Sequence, residues 1–363
     1  MLSPRTKFNI SRIAPFGVIW LFFAVVFLSV EVMSARTTDI NPETAIKLTW
    51  QVVIFAHIAV TCVGLLIGYI EYFFIGRYFR NFTFGKKLII KLIIYLLFLL
   101  SMIFLFFPIA ASIESNIHIS DERVWAKFGR FLLSLTFLNT MFQMGISLLF
   151  SLIYAGISDN IGYGVMNNFF LGKYVNPRQE ERIFMFLDMK NSTSIAEKIG
   201  HVRYFQLLKL YYDTFTNAII DRRGEVYQYI GDEIVISWPI KAGLNKANCI
   251  NIYFDMKGAI DDKSKMFIDK FGLVPDFKAG LHLGEVTTGE VGALKKEIVF
   301  TGDVLNASSR IQSLCNHYQK DLIISGDLYS QLIEFKEKFE FLDESQVKGK
   351  KEIIKLYSLK SEN

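Results

Sequence analysis

The sequence is poor in the residues that mark small disulfide-bonded proteins and disordered proteins. It has 3 cysteines, scattered at positions 62, 249 and 315, and only 7 prolines in 363 residues. Aromatic residues make up 15% of the chain, more than a disordered protein carries. The composition therefore excludes a disulfide scaffold and a disordered chain.

Charged residues are scarce as well, but only in the first half. Residues 1–156 contain 13 basic and 7 acidic residues, whereas residues 157–363 contain 27 and 28. Since 52% of all residues are hydrophobic, part of the first half is expected to lie in lipid. The net charge of +5 is small and lies mostly beside apolar runs, so no nucleic acid partner is expected.

Four runs without any charge predict four transmembrane helices. Each has about the 17–25 residues, or more, that a helix needs to cross the hydrocarbon core. The first run could instead be a cleaved signal peptide, because basic residues precede it, but the three further runs favour a membrane-spanning segment. The runs cover residues 13–30, 48–70, 92–113 and 131–158.

The basic residues predict the orientation of these helices. They precede the first run and occupy residues 77–87 of the second connection without acidic residues, whereas the first and third connections carry both signs. By the positive-inside rule, the N-terminus and, after four crossings, the charged half face the cytoplasm. We therefore expect a multi-pass protein of the cytoplasmic (inner) membrane, in contact with lipid. Its outer connections, 17 residues each between the runs, are too short for a sensor domain.

His57 lies inside the second run. An ionisable residue at membrane depth is by default a candidate for ligand or metal contact. A neutral imidazole bonded to another helix is the simpler interpretation, because no second histidine lies in any of the runs.

Glycine and proline residues mark a boundary after the last run. Residues 157–181 contain three glycines and Pro177 among polar residues of both charges, which is typical of a connecting segment. The sequence thus predicts a membrane anchor at 1–156, a coupling linker at 157–181 and a globular domain at 182–363. A passive tether at 157–181 is equally compatible with this pattern.

The globular domain alternates strand-like and helix-like segments. Residues 182–188 predict a buried strand, and residues 225–238 predict a hairpin with Asp232 at its tip. Residues 277–292 predict a further pair of strands around a glycine-bearing turn, and residues 303–316 predict a helix. This order indicates an α+β sandwich with helices packed against a mainly antiparallel sheet.

Two aspartates can meet at one edge of this sheet. Asp188 ends the first predicted strand, and Asp232 follows 44 residues later at the hairpin tip. Mg²⁺ commonly binds one or two carboxylates together with substrate phosphates, so the pair predicts a metal site. Ser192 and Thr193 open the next predicted helix, whose unpaired N–H groups suit a triphosphate.

A second group of polar residues follows later in the chain. Asn306 and Arg310 are four residues apart on a predicted helix, so their side chains share one face. An amide and a planar guanidinium suit a sugar oxygen and a phosphoryl group. Lys348, in the segment VKGK, could hold a further phosphate. When each is considered alone, the Asn306–Arg310 pair and the VKGK segment are explained more simply as ordinary solvated surface.

Five segments in this order resemble the class III nucleotidyl cyclases, the adenylate and guanylate cyclase catalytic domain. The resemblance extends over residues 178–360 and implies an α+β, ferredoxin-like catalytic domain. The four preceding helices are similar to the membrane anchors of some bacterial members. The segments are FMFLDMKNSTSIAE, YQYIGDEIVISW, KAGLHLGEVTTGEVG, FTGDVLNASSRIQ and VKGK.

The resemblance implies a reaction and its metal ions. The ribose 3′-oxygen of a nucleoside triphosphate would attack the α-phosphorus, giving a 3′,5′-cyclic nucleotide and pyrophosphate. Asp188, Asp232 and the backbone carbonyl of Met189 would bind two metal ions, Mg²⁺ or Mn²⁺, per active site.

The resemblance also implies roles for the second group of residues. Asn306 would orient the ribose, Arg310 would stabilise charge on the phosphoryl group, and Lys348 would hold the terminal phosphates. In this family the metal ligands of one chain face the Asn, Arg and Lys of another. A homodimer would therefore have two composite sites, and a monomer would have none.

The sequence departs from the family where the purine is recognised. Adenylate cyclases usually have Lys and Asp there, and guanylate cyclases Glu and Cys, whereas this chain has Gln228 and Val299. Gln228 can both donate and accept hydrogen bonds and could read either base, while Val299 can only pack. Glu297 and Thr301 alternate with Val299 along the strand and are candidates to replace it.

ATP is the favoured substrate, because the other functional positions match the family and its bacterial members mostly make cyclic AMP. The sequence therefore predicts a membrane-bound adenylate cyclase. A guanylate cyclase and a catalytically silent nucleotide-binding receptor of the same fold are the alternatives. A diguanylate cyclase is disfavoured, since it would leave Asn306 and Arg310 unexplained.

Overall fold

The chain separates into two compact units. One is formed by Lys7–Met166, and the other by Asn167–Asn363 together with Met1–Thr6. The structure is a computed structural model, and it describes residues 2–34, 44–79, 82–161, 166, 168, 171–346 and 353–360.

The first unit is helical in its described part. Its helices are α1 (Pro4–Ser34), α2 (Trp50–Ile70), α3 (Phe84–Ser115), α4 (Glu122–Leu132) and α5 (Leu135–Ile161). Among the described residues, α1, α2 with the turn that follows it, α3 and α5 are long and apolar enough to cross a membrane. The four apolar helices expected from the uncharged runs are thereby confirmed.

The third connection contains a packed helix where the sequence predicted only a short outer loop. Helix α4 buries Val124, Phe128 and Phe131 along one face, at the three- and four-residue spacing of an amphipathic helix. The ring of Phe131 stacks on Phe107 of α3, with 4.0 Å between the centroids. The connection is therefore part of the hydrophobic core of the bundle.

Aromatic side chains of α1 occupy the space left by glycines of α2. A Cβ atom at Gly64 would lie 2.7 Å from the Trp20 side chain, and one at Gly68 would lie 2.9 Å from Phe16. The indole N–H of Trp20 also donates to the Ser151 hydroxyl of α5 at 3.1 Å. Small residues let helices approach closely in lipid, so these glycines determine how α1 packs.

Helix α2 ends in a wide turn that carries a buried charge. Residues Glu71–Ile75 form a π-helix, a conformation that is rare and enriched at functional sites. Glu71 is only 2% exposed, and Lys91 of α3 is 6% exposed. Lys91 donates to one carboxylate oxygen of Glu71, and the Tyr95 hydroxyl donates to the other at 3.0 Å. The two charges thus neutralise each other inside the bundle.

His57 forms a hydrogen bond within its own helix. Its Nδ1 lies 2.7 Å from the carbonyl oxygen of Val53, one turn earlier in α2. Within the described part of the chain this local bond is found, and the bond to another helix that the sequence favoured is not.

The second unit alternates strands and helices. Its strands are β1 (Arg178–Met189), β2 (Glu225–Ile230), β3 (Glu233–Pro239), β4 (Phe277–Val291), β5 (Glu297–Thr301), β6 (Leu322–Ser325), β7 (Phe339–Gln346) and β8 (Ile353–Leu359). Its helices are α6 (Ser192–Ile199), α7 (His201–Asp221), α8 (Ile240–Leu244), α9 (Asn248–Asp262), α10 (Ser264–Phe271), α11 (Asp303–Tyr318) and α12 (Gly326–Gln331).

The described strands form one mixed sheet in the order β2-β3-β1-β4-β6-β8-β7, with β5 paired to β4. Strands β4 and β6 are parallel and the other pairs are antiparallel. The predicted α+β class with a mainly antiparallel sheet is therefore confirmed.

One strand differs from the sequence prediction. The segment expected to be a pair of strands is the single long strand β4. Its glycines make room for neighbours instead of turning the chain. A Cβ atom at Gly284 would lie 3.1 Å from Val304, and one at Gly289 would lie 3.4 Å from Pro177.

The two faces of the sheet have different coverings. Ile183, Met185 and Leu187 of β1 belong to the largest core, which also contains α7 and α9. Alternate residues of a strand point to opposite faces, so Arg182 and Asp188 lie on the other face together with Phe184 and Phe186.

Helix α11 lies directly on this second face. A Cβ atom at Gly280 of β4 would be 2.2 Å from the backbone nitrogen of Gln312. Only glycine permits such a close approach of helix and strand. Gly280 therefore determines how near α11 comes to the end of β1.

Candidate active site

Two carboxylates meet at the edge of the sheet. Asp188 is near the end of β1, and Asp232 lies in the turn between β2 and β3, where Gly231 adopts the left-handed φ of 64° that the tight hairpin requires. The two carboxyl groups are close enough for Asp232 to influence the ionisation of Asp188. The backbone register places Glu233 directly opposite Asp188. Three acidic residues therefore share one corner.

Burial and nearby negative charge raise the pKa values of Asp188 and Glu233. Burial raises the pKa of Asp188, the neighbouring Asp232 carboxyl group raises it further, and Lys278 opposes the rise. Burial, assisted by the charges of Asp188 and Asp232, raises the pKa of Glu233 to about 7. The corner thus holds more negative charge than the protein alone neutralises, which favours binding of a cation.

The chemistry of the pair fits a divalent metal ion. No three His, Cys, Asp or Glu side chains gather as a metal site within the described ranges. Mg²⁺ does not need such a cage, because it is commonly held by one or two carboxylates, water and substrate phosphates. Asp188 and Asp232 could supply the carboxylates, and the adjacent Met189 could supply a backbone carbonyl.

Other polar residues around Asp188 were not recognised from the sequence. Lys278 Nζ and Gln312 Nε2 each lie 3.3 Å from its Oδ2 atom. Lys278 also donates to Asn316 at 3.0 Å. The sequence did contain a signal for Lys278, because Lys278 and Gly280 are two residues apart on β4 and therefore lie on the same face of the sheet. No sequence pattern marked Gln312, which reaches the site only through the close packing of α11.

Ser192 and Thr193 form the first turn of α6, close to the carboxylates. Ser192 is partly buried and lies near Tyr204, whereas Thr193 is exposed. Burial, with the nearby charge of Asp232, raises the pKa of Tyr204 to about 12. Tyr204 is a further neighbour of the site that the sequence did not indicate.

Helix α11 carries polar residues of interest on two different sides. Gln312 is buried and contacts Asp188 of the same chain, while Asn306 is exposed and Arg310 is partly exposed. At 100° per residue, Arg310 points about 160° away from Gln312. One chain therefore does not place Asn306 and Arg310 around its own carboxylate pair.

The predicted purine-reading residues lie on two different strands. Gln228 is exposed on β2, opposite Val235, and Val299 is partly exposed on β5, opposite Gly289. Of the proposed substitutes, Glu297 forms an ion pair with a neighbouring lysine. The hydroxyl of Thr301 donates to the carbonyl of the β4 residue paired with it.

The family model of the adenylate and guanylate cyclase catalytic domain matches residues 175–361. The chain belongs to this family. The sequence-based resemblance to class III nucleotidyl cyclases is thereby confirmed.

Relatives of this cyclase domain carry matching names. The chain is 31% identical over 204 residues to "Adenylate cyclase 2" of Rhizobium meliloti (strain 1021), covering 56% of either chain. It is 30% identical over 186 residues to "Adenylate cyclase" of Anabaena cylindrica, covering 49% of this chain and 36% of the relative. The chain thus spans about half the length of the first relative and less of the second. In "Structure of a bacterial light-regulated adenylyl cyclase" the identity is 21% and the TM-score 0.43, covering 50% of this chain and 91% of that one.

The cyclase domain includes residues immediately before the matched range. Tyr174 is 3% exposed, and its carbonyl accepts the backbone N–H of Glu290 at 3.0 Å. At the other end of the domain, Lys348 lies outside the described residues, so its predicted phosphate contact stays a prediction.

Proposed function

We propose that this protein is a membrane-bound adenylate cyclase that converts ATP to 3′,5′-cyclic AMP and pyrophosphate. The active sites form at the interface of a homodimer, and each contains two divalent ions, Mg²⁺ or Mn²⁺. Family membership and the names of the relatives support the reaction. The intact set of Asp188, Asp232, Asn306 and Arg310 argues against a catalytically silent receptor.

The opposed sides of α11 are the observation that carries the dimer proposal. Gln312 holds α11 against Asp188, so Asn306 and Arg310 face away from the acids of their own chain. A two-fold symmetric pair would allow each chain to present Asn306 and Arg310 to the carboxylates of the other. The proposal thus gives a function to Asn306 and Arg310, which do not face the carboxylates of their own chain.

The residues divide the work of the reaction. Asp188 and Asp232, with the Met189 carbonyl, hold the metal ions, which supply acidity at the 3′-hydroxyl and charge neutralisation at the leaving pyrophosphate. Asn306 orients the ribose, so that the 3′-oxygen faces the α-phosphorus. Arg310 stabilises the charge on the phosphoryl group through its fork of N–H donors.

The phosphates of the substrate have their own contacts. Lys348 holds the terminal phosphates, and the first turn of α6, with Ser192 and Thr193, offers backbone N–H groups. Gln228 and Val299 lie at the purine. Arg310→Ala is expected to lower turnover by a factor on the order of 10³–10⁵, as loss of a transition-state arginine does in related phosphoryl transfers.

The four apolar helices support insertion into the cytoplasmic membrane. Basic residues in the N-terminal segment and in the second connection favour a cytoplasmic position for both. The cyclase domain then lies in the cytoplasm, where nucleoside triphosphates are available.

An assay of the full chain in detergent or membranes tests the reaction. Wild type and Asp232→Ala are given ATP and GTP in parallel, with Mg²⁺ or Mn²⁺. Cyclic AMP from wild type alone supports the proposal. Cyclic GMP alone would identify a guanylate cyclase, and nucleotide binding without product in a dimeric sample would identify a silent receptor.

Complementation tests the composite site. Asp232→Ala and Arg310→Ala are each expected to be nearly inactive, but a mixed dimer keeps one site with all of its residues. With random pairing of equal amounts, about half of the dimers are mixed, and about a quarter of wild-type activity is expected on co-expression. Activity no higher than that of the single variants would contradict composite sites.

A further inference from the structure

Arg182 carries a charge that is fully shielded from water. Its side chain is 0% exposed, and its Nη2 donates to the carboxylate of Glu225 and, at 2.9 Å, to the Ser237 hydroxyl. Its Nη1 lies 3.5 Å from Glu180, and the guanidinium carbon lies 4.8 Å from the centre of the Phe300 ring. Among the described residues, Nε has no hydrogen-bond partner. The carboxylates and the aromatic face therefore compensate for its burial.

Arg182 connects strands that do not pair with its own. Strand β3 lies between β1 and β2, and β4 lies between β1 and β5. Neighbouring strands are about 4.8 Å apart, so β2 and β5 are each two such spacings from β1. Glu225 belongs to β2 and Phe300 to β5. The guanidinium thus ties together two strands on opposite sides of the centre of the sheet.

These two strands carry the residues at the predicted purine positions. Glu225 is three residues before Gln228, and Phe300 directly follows Val299. Because side chains alternate along a strand, Val299 points away from the side on which Phe300 meets Arg182. Contacts that hold the Phe300 ring in place therefore also fix the position and direction of the neighbouring Val299 side chain.

An aromatic contact also links β2 directly to β5. The rings of Tyr227 and Phe300 meet with centroids 4.9 Å apart. The register of β2 shifts between Val226 and Gln228, so Tyr227 is the extra residue of a bulge, a feature that re-aims neighbouring side chains. Gln228 thus follows a residue whose ring is held against Phe300.

From this geometry we infer that Arg182 is a positioning residue for recognition of the purine. It sets the separation of β2 and β5, and thereby that of Gln228 and Val299, without contacting the nucleotide. The inference rests on the proposed function, because it takes Gln228 and Val299 to lie at the base.

The choice of arginine supports a positioning role over a purely stabilising one. A buried ion pair is often no more stable than apolar residues of similar volume. Arginine differs from an apolar residue in that its planar fork binds a carboxylate while its flat face stacks on a ring. Both contacts are present here, one toward each of the two strands.

Arg182→Met is the main test. Methionine keeps much of the apolar volume, and Glu225 stays hydrated because its side chain is 58% exposed, so the domain is expected to fold. Loss of the link is expected to raise the KM for ATP about tenfold, the size of a lost pocket contact, with a smaller change in kcat. The ratio of the dissociation constants for N-methylanthraniloyl-ATP and N-methylanthraniloyl-GTP is also expected to change.

Two further variants make the result decisive. Phe300→Leu removes the aromatic face but keeps an apolar side chain, and it is expected to shift KM and the affinity ratio in the same direction. Arg222→Met is the matched control. It breaks another arginine–carboxylate pair, with Asp255 of α9 at 2.5 and 3.1 Å, just after the end of α7, and it should change neither quantity.

The outcomes separate this inference from the proposed function. If both Arg182→Met and Phe300→Leu keep the wild-type KM and affinity ratio, the inference is wrong even if wild type makes cyclic AMP. If wild type makes no cyclic nucleotide but the dissociation constants still change as expected, the proposed function fails and the inference stands. If wild type binds neither nucleotide analogue, both are wrong.

Discussion

Lys91 in the helical unit and Arg182 in the cyclase domain are both cations buried away from water, but the two regions neutralise them differently. Lys91 depends on a single carboxylate, Glu71, whose second oxygen is occupied by Tyr95. Arg182 shares its charge among Glu225, Glu180 and a hydroxyl, and lies over an aromatic ring.

The difference follows from the surroundings. An apolar bundle offers few polar groups, so a charge there has few partners that can compensate it. The edge of a sheet in water offers carboxylates that stay partly hydrated, and several of them can share one guanidinium. Removing the partner of a buried charge is therefore expected to cost much more stability in the bundle than in the cyclase domain.

Glu71→Gln is expected to have the largest effect on stability. It leaves Lys91 charged, or forces it to lose its proton, at a position only 6% exposed, and breaking a buried pair in this way typically costs about 3–5 kcal/mol. The expected result is a large drop in the thermal unfolding temperature of the full chain in detergent, with faster hydrogen exchange in α2 and α3.

The double variant Glu71→Leu/Lys91→Met is the control. Replacing both charges by apolar residues is often neutral or stabilising, so it should recover most of the lost stability. If Glu71→Gln were as stable as the double variant, the expectation that Lys91 needs Glu71 as its charged partner would be wrong.

Glu225→Gln should have a smaller effect, because Arg182 keeps Ser237, Glu180 and the Phe300 ring. Glu225 is also 58% exposed, so water screens the lost charge, and about 1 kcal/mol or less is expected. Hydrogen exchange of β1, β2 and β5 in the full chain measures the change. A loss as large as that of Glu71→Gln would break the contrast between the two regions.

Asp276 is expected to have the smallest effect. Burial alone would raise its pKa, but hydrogen bonds from Lys190, at 2.7 Å, and Lys257 prevail and lower it. A carboxyl group whose pKa is lowered by folding stabilises the protein above its unfolded value of 3.8, and this contribution is lost as the pH falls through the folded pKa.

The comparison of wild type with Asp276→Asn measures this term. Because Asp276 is 48% exposed, a difference of about 0.5 kcal/mol is expected at neutral pH. The difference should shrink as the pH drops below 3.8, provided that both proteins stay folded there. A difference independent of pH would point to packing instead of charge.

Much of the fold could be predicted from the sequence, because its signals are local. The four apolar helices follow from runs without charge, and the β2–β3 hairpin follows from Gly231 between two β-rich segments. The β4 segment was mistaken because a glycine in a strand can mark either a turn or a close neighbour. Gly284 and Gly289 serve the second purpose, which only tertiary packing reveals.

The site was predictable where the residue type carries the chemistry. Asp188, Asp232, Asn306 and Arg310 were singled out from their spacing and from the family resemblance, and their catalytic roles stay predictions. Gln312 was missed because its contact depends on how closely α11 approaches β4. Arg182 was missed because an arginine at the start of an apolar strand resembles an ordinary boundary residue.

Helix α11 has a consequence for the proposed dimer. One side of the helix contacts the acids of its own chain, and the other would contact the nucleotide bound to its partner. In the proposed dimer each α11 would therefore belong to both sites, because Gln312 contacts Asp188 of its own chain while Asn306 and Arg310 would complete the site of the partner.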